Sequence, residues 1–323
     1  MDAARRANGG DSQFVLTIVG DNAVAELIRH DPDLENADIG AELPWSIARS
    51  KTKEFFSEFL STFILLCFGE GTVAQNVLSG SGDTINIGFG WGIGVMMGIY
   101  VGGKSGAHMN PAVTLACCIF RGFKWKKLPI YVLAQVLGAM SATAVVYLNY
   151  KTAIDIHEGG PDIRTIPGIS KTGTAGIYST YAQPFLSSGQ QFFSEFLATA
   201  LLIFCLFALL DHRNLGINRQ LLPLGMFFVI FGIAVAFGWE TGFAINPARD
   251  FGPRAVASML GYSVDIWTVH HNYAWVPIIA PLIGGSFGAL MYDIFIYTGE
   301  SPINTPWFGL RKPKQTGWSS SQV

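Results

Sequence analysis

The feature that most restricts the folds open to this chain is that it reads twice. Phe55-Phe56-Ser57-Glu58-Phe59-Leu60-Ser61-Thr62 returns as Phe192-Phe193-Ser194-Glu195-Phe196-Leu197-Ala198-Thr199. Ser105-Gly106-Ala107-His108-Met109-Asn110-Pro111-Ala112 returns as Thr241-Gly242-Phe243-Ala244-Ile245-Asn246-Pro247-Ala248. Residue 192 answers residue 55 and residue 246 answers residue 110, offsets of 137 and 136. Two independent matches at one spacing mark an internal duplication, and it covers most of the chain from Lys53 onward.

The duplicated unit is a membrane unit. Stretches 130–150 and 221–237 carry no charged residue, and 191–210 carries only Glu195. Runs of this kind approach the roughly 20 apolar residues that cross a hydrocarbon core. Charged residues make up 14% of the chain, against about 25% in a soluble domain. Six full spans are predicted, near 55–78, 87–103, 128–150, 190–210, 221–239 and 273–297. Two shorter apolar pieces, near 110–121 and 246–259, rise only about 18 Å each as helices. They must enter to mid-depth and return, which is tolerated only where they pack in protein or line water.

With three spans per copy, an odd number, the second copy inserts upside down relative to the first. The predicted class is therefore an all-α membrane protein of six transmembrane helices plus two re-entrant half-helices, built as inverted three-helix repeats. The expected organisation is a tail at 1–52, a channel domain at 53–300 with repeats near 53–150 and 190–298, and a second tail at 301–323.

Basic residues set the orientation. Arg49, Lys51 and Lys53 precede the first span, Arg121, Lys124, Lys126 and Lys127 the third, and Arg213 and Arg219 the fifth, while Arg311, Lys312 and Lys314 follow the sixth. All fall on one side, which the positive-inside rule makes cytoplasmic. Both termini are then cytoplasmic and the loop 151–189 faces outward. The N-terminus lacks the charged start and apolar core of a signal peptide. Cys67, Cys117, Cys118 and Cys205 all lie in apolar segments, which argues against a disulfide framework in exterior loops. Stretch 21–29 has the pattern of a short amphipathic helix, either a solvated tail or a gate or partner site. The net charge of −2 gives no indication of a nucleic-acid partner.

The chemistry is carried by few residues. Asn110 and Asn246 have the residue type of a helix N-cap, and Pro111 and Pro247 that of a first helical position, with Ala112 and Ala248 completing each box. Inverted symmetry points both half-helix N-termini, with their free N–H groups and positive dipole ends, at the membrane centre. Each Asn oxygen can cap its own helix and leave its NH₂ to donate to a passing oxygen. Water or an alcohol fits such a site, and a cation is repelled. Glu58 and Glu195, costly inside a span, read as acceptors for the backbone N–H groups of the re-entrant loops; a protonated, shielded Glu is the alternative. Arg249, three residues after Asn246 and on nearly the same helix face, puts one positive charge on the exterior side, where the first repeat has Val113. His108 is either a proton sensor of the cytoplasmic vestibule or a structural histidine.

These residues resemble the aquaporin (major intrinsic protein) family from about Lys53 to Tyr297. The paired Asn-Pro-Ala boxes carry the resemblance, tightened by Ser-Gly-Ala-His before the first and Arg-Asp-Phe-Gly-Pro-Arg (249–254) after the second. It implies an hourglass channel assembled as a homotetramer with one pore per subunit. It places the outer constriction on Trp91, Ala234, Phe243 and Arg249. Two aromatics, a small residue in place of the His of water-selective members, and Asp250 after Arg249 resemble the aquaglyceroporin branch. There the rings face the carbon edge of glycerol and Arg249 its hydroxyls. Backbone carbonyls of Gly106, Ala107, His108, Gly242, Phe243 and Ala244 would accept the hydroxyl hydrogens, and Glu58, Glu195 and Asp250 would support the loops. Trp239 and Glu240 fall near the outer vestibule.

The expectation is a passive channel for glycerol, water and other small polyols in a lipid bilayer, the plasma membrane before an internal one, excluding ions and protons, with no cofactor, metal or enzymatic activity. The alternatives are a channel mainly for water or for urea, ammonia or hydrogen peroxide; a secondary active transporter; an intramembrane enzyme; and a non-conducting adhesion or signalling protein. The transporter needs a midplane ion site, where the paired boxes supply donors instead. The enzyme needs a metal cluster or a nucleophile–base pair, and neither spacing occurs.

Overall fold

A computed structural model describes residues 44–305. Packing divides the chain into two units, Met1–Lys51 and Thr52–Val323. Of the first, only 44–51 is described, as helix. The stretch at 21–29 and the basic cluster at 311–314 lie outside the described residues.

Eight helices longer than one or two turns are described: α1 (Pro44–Ser79), α2 (Thr84–Val101), α3 (Pro111–Phe120), α4 (Leu128–Glu158), α5 (Ser188–Leu210), α6 (Leu222–Thr241), α7 (Pro247–Met259) and α8 (Val276–Phe295). All but α3 and α7 belong to the six segments long and apolar enough to cross a membrane. Their outward faces are apolar where a soluble helix would be polar. On α4, Leu133 and Leu137 are exposed while Ala134, Gln135 and Gly138 are buried. On α1, Phe56 and Leu60 are exposed and Glu58, Ser61 and Thr62 are buried. This is the inside-out arrangement that a lipid solvent demands.

The helix ends differ from the sequence expectation at several places. Helix α1 starts at Pro44, well inside the segment read as tail: Pro is favoured at a first helical position, and Ala48, Arg49, Lys51 and Lys53 carry the helix on without the apolarity of a span. Helix α4 runs to Glu158, two turns into the segment read as loop. The Lys151–Asp155 pair at 2.8 Å supports that extension, and Gly159 ends it in the left-handed region at φ 90°. Helix α6 runs to Thr241, so Trp239 and Glu240 sit on its last turn. Helix α8 begins only at Val276, after a tight turn in which His270, His271 and Asn272 all have positive φ.

Inverted symmetry is visible in the packing. Helix α4 lies against α7 as α8 lies against α3, and α2 lies against its own counterpart α6. Where α4 crosses α1, a Cβ on Gly138 would fall 2.3 Å from the Phe59 carbonyl oxygen. Where α8 crosses α5, a Cβ on Gly284 would fall 2.2 Å from the Phe196 oxygen. Phe59 and Phe196 are repeat equivalents, so one glycine-mediated backbone contact is built twice. Small residues at such crossings let two helices approach closely in a membrane.

Candidate functional site

The half-helices meet through their caps. Asn110 Oδ1 accepts from the Ala112 amide at 2.8 Å, and Asn246 Oδ1 accepts from the Ala248 and Arg249 amides at 3.0 and 3.3 Å. The other end of each carboxamide crosses to the opposite repeat. Asn110 Nδ2 donates to the Ile245 carbonyl at 2.8 Å, and Asn246 Nδ2 donates to the Met109 carbonyl at 2.7 Å. The sequence alone predicts each NH₂ wholly free for the solute. Instead one hydrogen of each is spent on the other half, because the residue before each Asn presents a carbonyl there. One N–H per amide remains.

The loops leading into the caps are strained in matching places. Gly106 and Gly242 have φ of 99° and 81°, Ala107 and Phe243 52° and 40°, and Met109 and Ile245 51° and 45°. A side-chain-bearing residue in this region costs roughly 1–3 kcal/mol. Buried carboxylates hold the loops in it. Glu58 Oε1 accepts from the His108 amide at 2.9 Å and the Ser105 hydroxyl at 2.6 Å. Its Oε2 accepts from the Met109 amide at 2.9 Å and Gln135 Nε2 at 2.7 Å. Glu195 accepts from the Ala244 and Ile245 amides at 2.9 and 2.8 Å, with Tyr273 donating at 3.4 Å. The repeat equivalence of 108–109 with 244–245 is thus kept atom for atom.

A cavity of about 540 Å³ passes this meeting point. Tyr100, Gly103, Arg219 and Gln220 line it, as do Trp91, Phe243 and Arg249. Gly106, Ala107, His108, Met109 and Asn110 line it from the first repeat, and Ala244, Ile245 and Asn246 from the second. Val95, Val113, Leu202, Met226 and Ile230 complete an apolar wall.

Arg249 is 5% exposed. Its guanidinium donates to the Tyr178 carbonyl at 2.9 Å and lies 4.1 Å from the centre of the Trp91 ring, within cation–π range. Asp250 does not pair with it. Asp250 accepts from the Thr180 amide and hydroxyl at 2.8 and 2.7 Å and from Arg254 Nε at 2.9 Å. Arg254 in turn donates to the Thr180 carbonyl at 2.6 Å. The Asp250–Arg254 pair therefore clamps the loop between α4 and α5 two residues from the carbonyl that aims Arg249.

Two expected positions fall off the cavity wall. Ala234 is fully buried and is not among the lining residues; a Cβ on Gly88 of α2 would meet its methyl at 2.8 Å. The small residue at 234 thus seats α6 against α2. Gly242 is the left-handed cap of α6 and is likewise not among the lining residues. His108 lines the cavity, shares a hydrogen bond with the Thr114 hydroxyl at 3.2 Å, and packs 4.9 and 5.3 Å from the Phe123 and Tyr131 rings.

Sequence reasoning gave no role to Gln135, Tyr178, Thr180, Arg254 or Glu70. Gln135 is an amide in an otherwise charge-free span, and Glu70 is a second acid in the first span; both were legible as costly polar residues. Tyr178 acts through its carbonyl and left no signal.

Comparison with known proteins places this architecture. A family model described as major intrinsic protein matches residues 46–292. The chain is 52% identical over 323 residues to aquaglyceroporin-9 of Botryotinia fuckeliana, covering 97% of this chain and 70% of that one. It is 44% identical over 275 residues to aquaglyceroporin-2 of Rhizophagus irregularis, covering 84% and 86%. Among solved structures, the X-ray structure of the aquaglyceroporin from Plasmodium falciparum matches with a TM-score of 0.66 at 34% identity, covering 76% of this chain and 96% of that one.

Proposed function

The chain belongs to the major intrinsic protein family, and from that membership and the geometry of its cavity we propose that it is a passive membrane channel for glycerol and water that excludes ions and protons. The observation that carries the reading is the exchange of Asn110 and Asn246 amide bonds across the inverted repeats, beside a cavity that reaches Arg249.

At the centre, one free N–H from each Asn and two helix N-termini present donors and positive potential to a solute oxygen. A water or hydroxyl held by two donors points its own hydrogens away from both, which interrupts a proton wire, and a cation meets only repulsion. Toward the outer end, the Trp91 and Phe243 rings form the wall for a carbon edge. Arg249 donates to hydroxyl oxygens, and a passing polyol competes with the Trp91 face for the guanidinium. The carbonyls of Gly106, Ala107, His108, Phe243 and Ala244 take the hydroxyl hydrogens. Glu58 and Glu195 hold those loops, and Asp250 holds the outer loop. The sides are apolar, so a solute regains the hydrogen bonds it gave up to water only along the polar track.

The channel works as a homotetramer with one pore per subunit, in the plasma membrane, with both termini cytoplasmic. The positive-inside pattern supports the orientation, and the relatives named as aquaglyceroporins support the polyol. Stopped-flow light scattering on vesicles holding only this chain, with membrane current recorded on expressing cells, tests the reading. Rapid glycerol and water equilibration without current is expected. A current that follows the proton gradient and scales with expression refutes it.

A further inference from the structure

The pore reading uses the carbonyl of His108 and leaves its ring idle. The residue lines the cavity, and the two ring nitrogens have different surroundings. Nδ1 lies 3.2 Å from the Thr114 hydroxyl. Nε2 has no hydrogen-bond partner among the described residues, yet it is not sealed inside the protein. A Cβ on Gly106 would stand 3.6 Å from Nε2, so the lack of a side chain there leaves that edge of the ring uncovered. Phe123 and Tyr131, with ring centres 4.9 and 5.3 Å from the imidazole, fix its orientation.

Which nitrogen carries the proton follows from a chain of bonds that begins at Glu58. The Glu58 oxygens accept from the His108 and Met109 amides. Acceptors call for the nitrogen of the Gln135 carboxamide, and Gln135 Nε2 reaches Glu58 Oε2 at 2.7 Å. The same nitrogen donates to the Thr114 hydroxyl oxygen at 3.1 Å. That hydroxyl also reaches the Asn110 carbonyl, one turn back, at 3.0 Å. A hydroxyl has one hydrogen and two lone pairs. With its hydrogen on Asn110, one lone pair serves Gln135 and the other accepts from an Nδ1–H, so all three bonds form. With Nδ1 bare, one hydrogen faces two acceptors and a bond is lost. We propose that His108 is held with its proton on Nδ1, so that Nε2 turns a lone pair to the cavity and accepts a hydrogen from a passing polyol hydroxyl. His108 is then a solute-binding side chain, with Thr114 and Gln135 as positioning residues behind it. A polyol carries hydroxyls on adjacent carbons, so one can rest on a loop carbonyl while its neighbour donates to Nε2. The inference deepens the pore reading above and rests on it.

Solid-state nitrogen NMR of the full chain in lipid vesicles, with isotopically labelled histidine rings, reads the tautomer. Spectra are taken above the pH range in which histidine titrates, and His108→Phe or His108→Gln assigns the lines by difference. The expected result is a protonated Nδ1 and a bare Nε2, with the Nε2 line moving far more than the Nδ1 line as glycerol is added. Thr114→Val, which removes the hydroxyl, should move the proton to Nε2, and Thr114→Ser should keep it on Nδ1. A ring that only packs would answer neither to glycerol nor to Thr114. In uptake measurements at matched folded protein, His108→Phe should raise the half-saturating glycerol concentration by roughly two- to tenfold, the scale of one net hydrogen bond, with a smaller change in water flux. A proton on Nε2 of the wild-type ring, an Nε2 line indifferent to glycerol, or a half-saturating concentration unmoved by His108→Phe overturns the proposal while leaving the channel intact. The first two are read on wild-type protein and stand even if a variant fails to fold. Absence of glycerol uptake by the wild-type chain overturns the pore reading itself.

Discussion

Removing the loop-holding carboxylates should separate the two repeats by their stability. Glu195→Ala strands the Ala244 and Ile245 amides, bonded at 2.9 and 2.8 Å in the intact protein. A buried donor left without its acceptor costs about 1–3 kcal/mol, so the loss is about 2–6 kcal/mol. Glu58→Ala strands the His108 and Met109 amides and also deprives the Ser105 hydroxyl and Gln135 of their acceptor. Ser105 retains the Gly102 carbonyl at 3.0 Å and Gln135 the Thr114 hydroxyl at 3.1 Å. The two side chains therefore add about 1–3 kcal/mol at the net worth of a hydrogen bond, while Glu195→Ala loses one such bond, that of Tyr273, which keeps the Thr241 carbonyl at 3.1 Å. The first-repeat variant should be the weaker protein by the worth of about one such bond, about 0.5–1.5 kcal/mol. Both losses fall on loops already strained by positive φ at Ala107, Met109, Phe243 and Ile245, so relaxation should carry each loop out of its conformation and reduce conduction with stability. The assay is thermal unfolding in one detergent, followed by size-exclusion chromatography, with glycerol uptake at matched protein. Wild-type melting for either variant, or Glu195→Ala melting clearly below Glu58→Ala, refutes the reasoning.

Gly138→Ala and Gly284→Ala should each force apart a helix pair whose backbone lies 2.3 or 2.2 Å from the added Cβ, costing about 1–3 kcal/mol each; detergent melting curves indistinguishable from wild type would count against the crossing geometry. Arg249→Val should admit a small cation or proton leak while water flux persists, because the central pair of helix ends remains; voltage-clamp current alongside swelling reads it, and a leak as large as that of an open pore would shift the whole barrier to Arg249. Asp250→Asn should leave Arg254 without its charge partner at 2.8 Å, costing about 3–5 kcal/mol for a broken buried pair. It should also loosen the Tyr178 carbonyl from Arg249, read as lower stability together with a changed glycerol-to-water ratio.

The architecture was legible because it rests on counts and periods. The duplication, the odd number of spans and the short apolar pieces require an inverted pair with broken helices, and α3 and α7 start one residue after the two asparagines. Helix ends were less legible. Pro44 and Glu158 lie beyond the apolar stretch, where helix continues on propensity and ion pairs that hydrophobicity does not register. At the site, residue types placed Asn110, Asn246, Glu58 and Glu195, since each is a polar group that a membrane makes costly. Backbone roles were not legible. The Tyr178 carbonyl and the Met109 and Ile245 carbonyls act whatever side chain they bear. Ala234 shows the converse: a small residue at a position that resemblance assigns to the pore is equally what a close helix crossing needs, and only packing against Gly88 separates the two.

The reciprocal asparagine bonds mean that the midpoint of the passage is a seam. Each half-helix cap is completed by a carbonyl from the other end of the chain, 135 and 137 residues away. Neither repeat alone can form the narrow part, and a fragment holding either half would carry an uncapped carboxamide and an orphan carbonyl facing lipid or water. A solute that crosses the membrane here travels between two copies of one ancestral segment and touches both at the same instant.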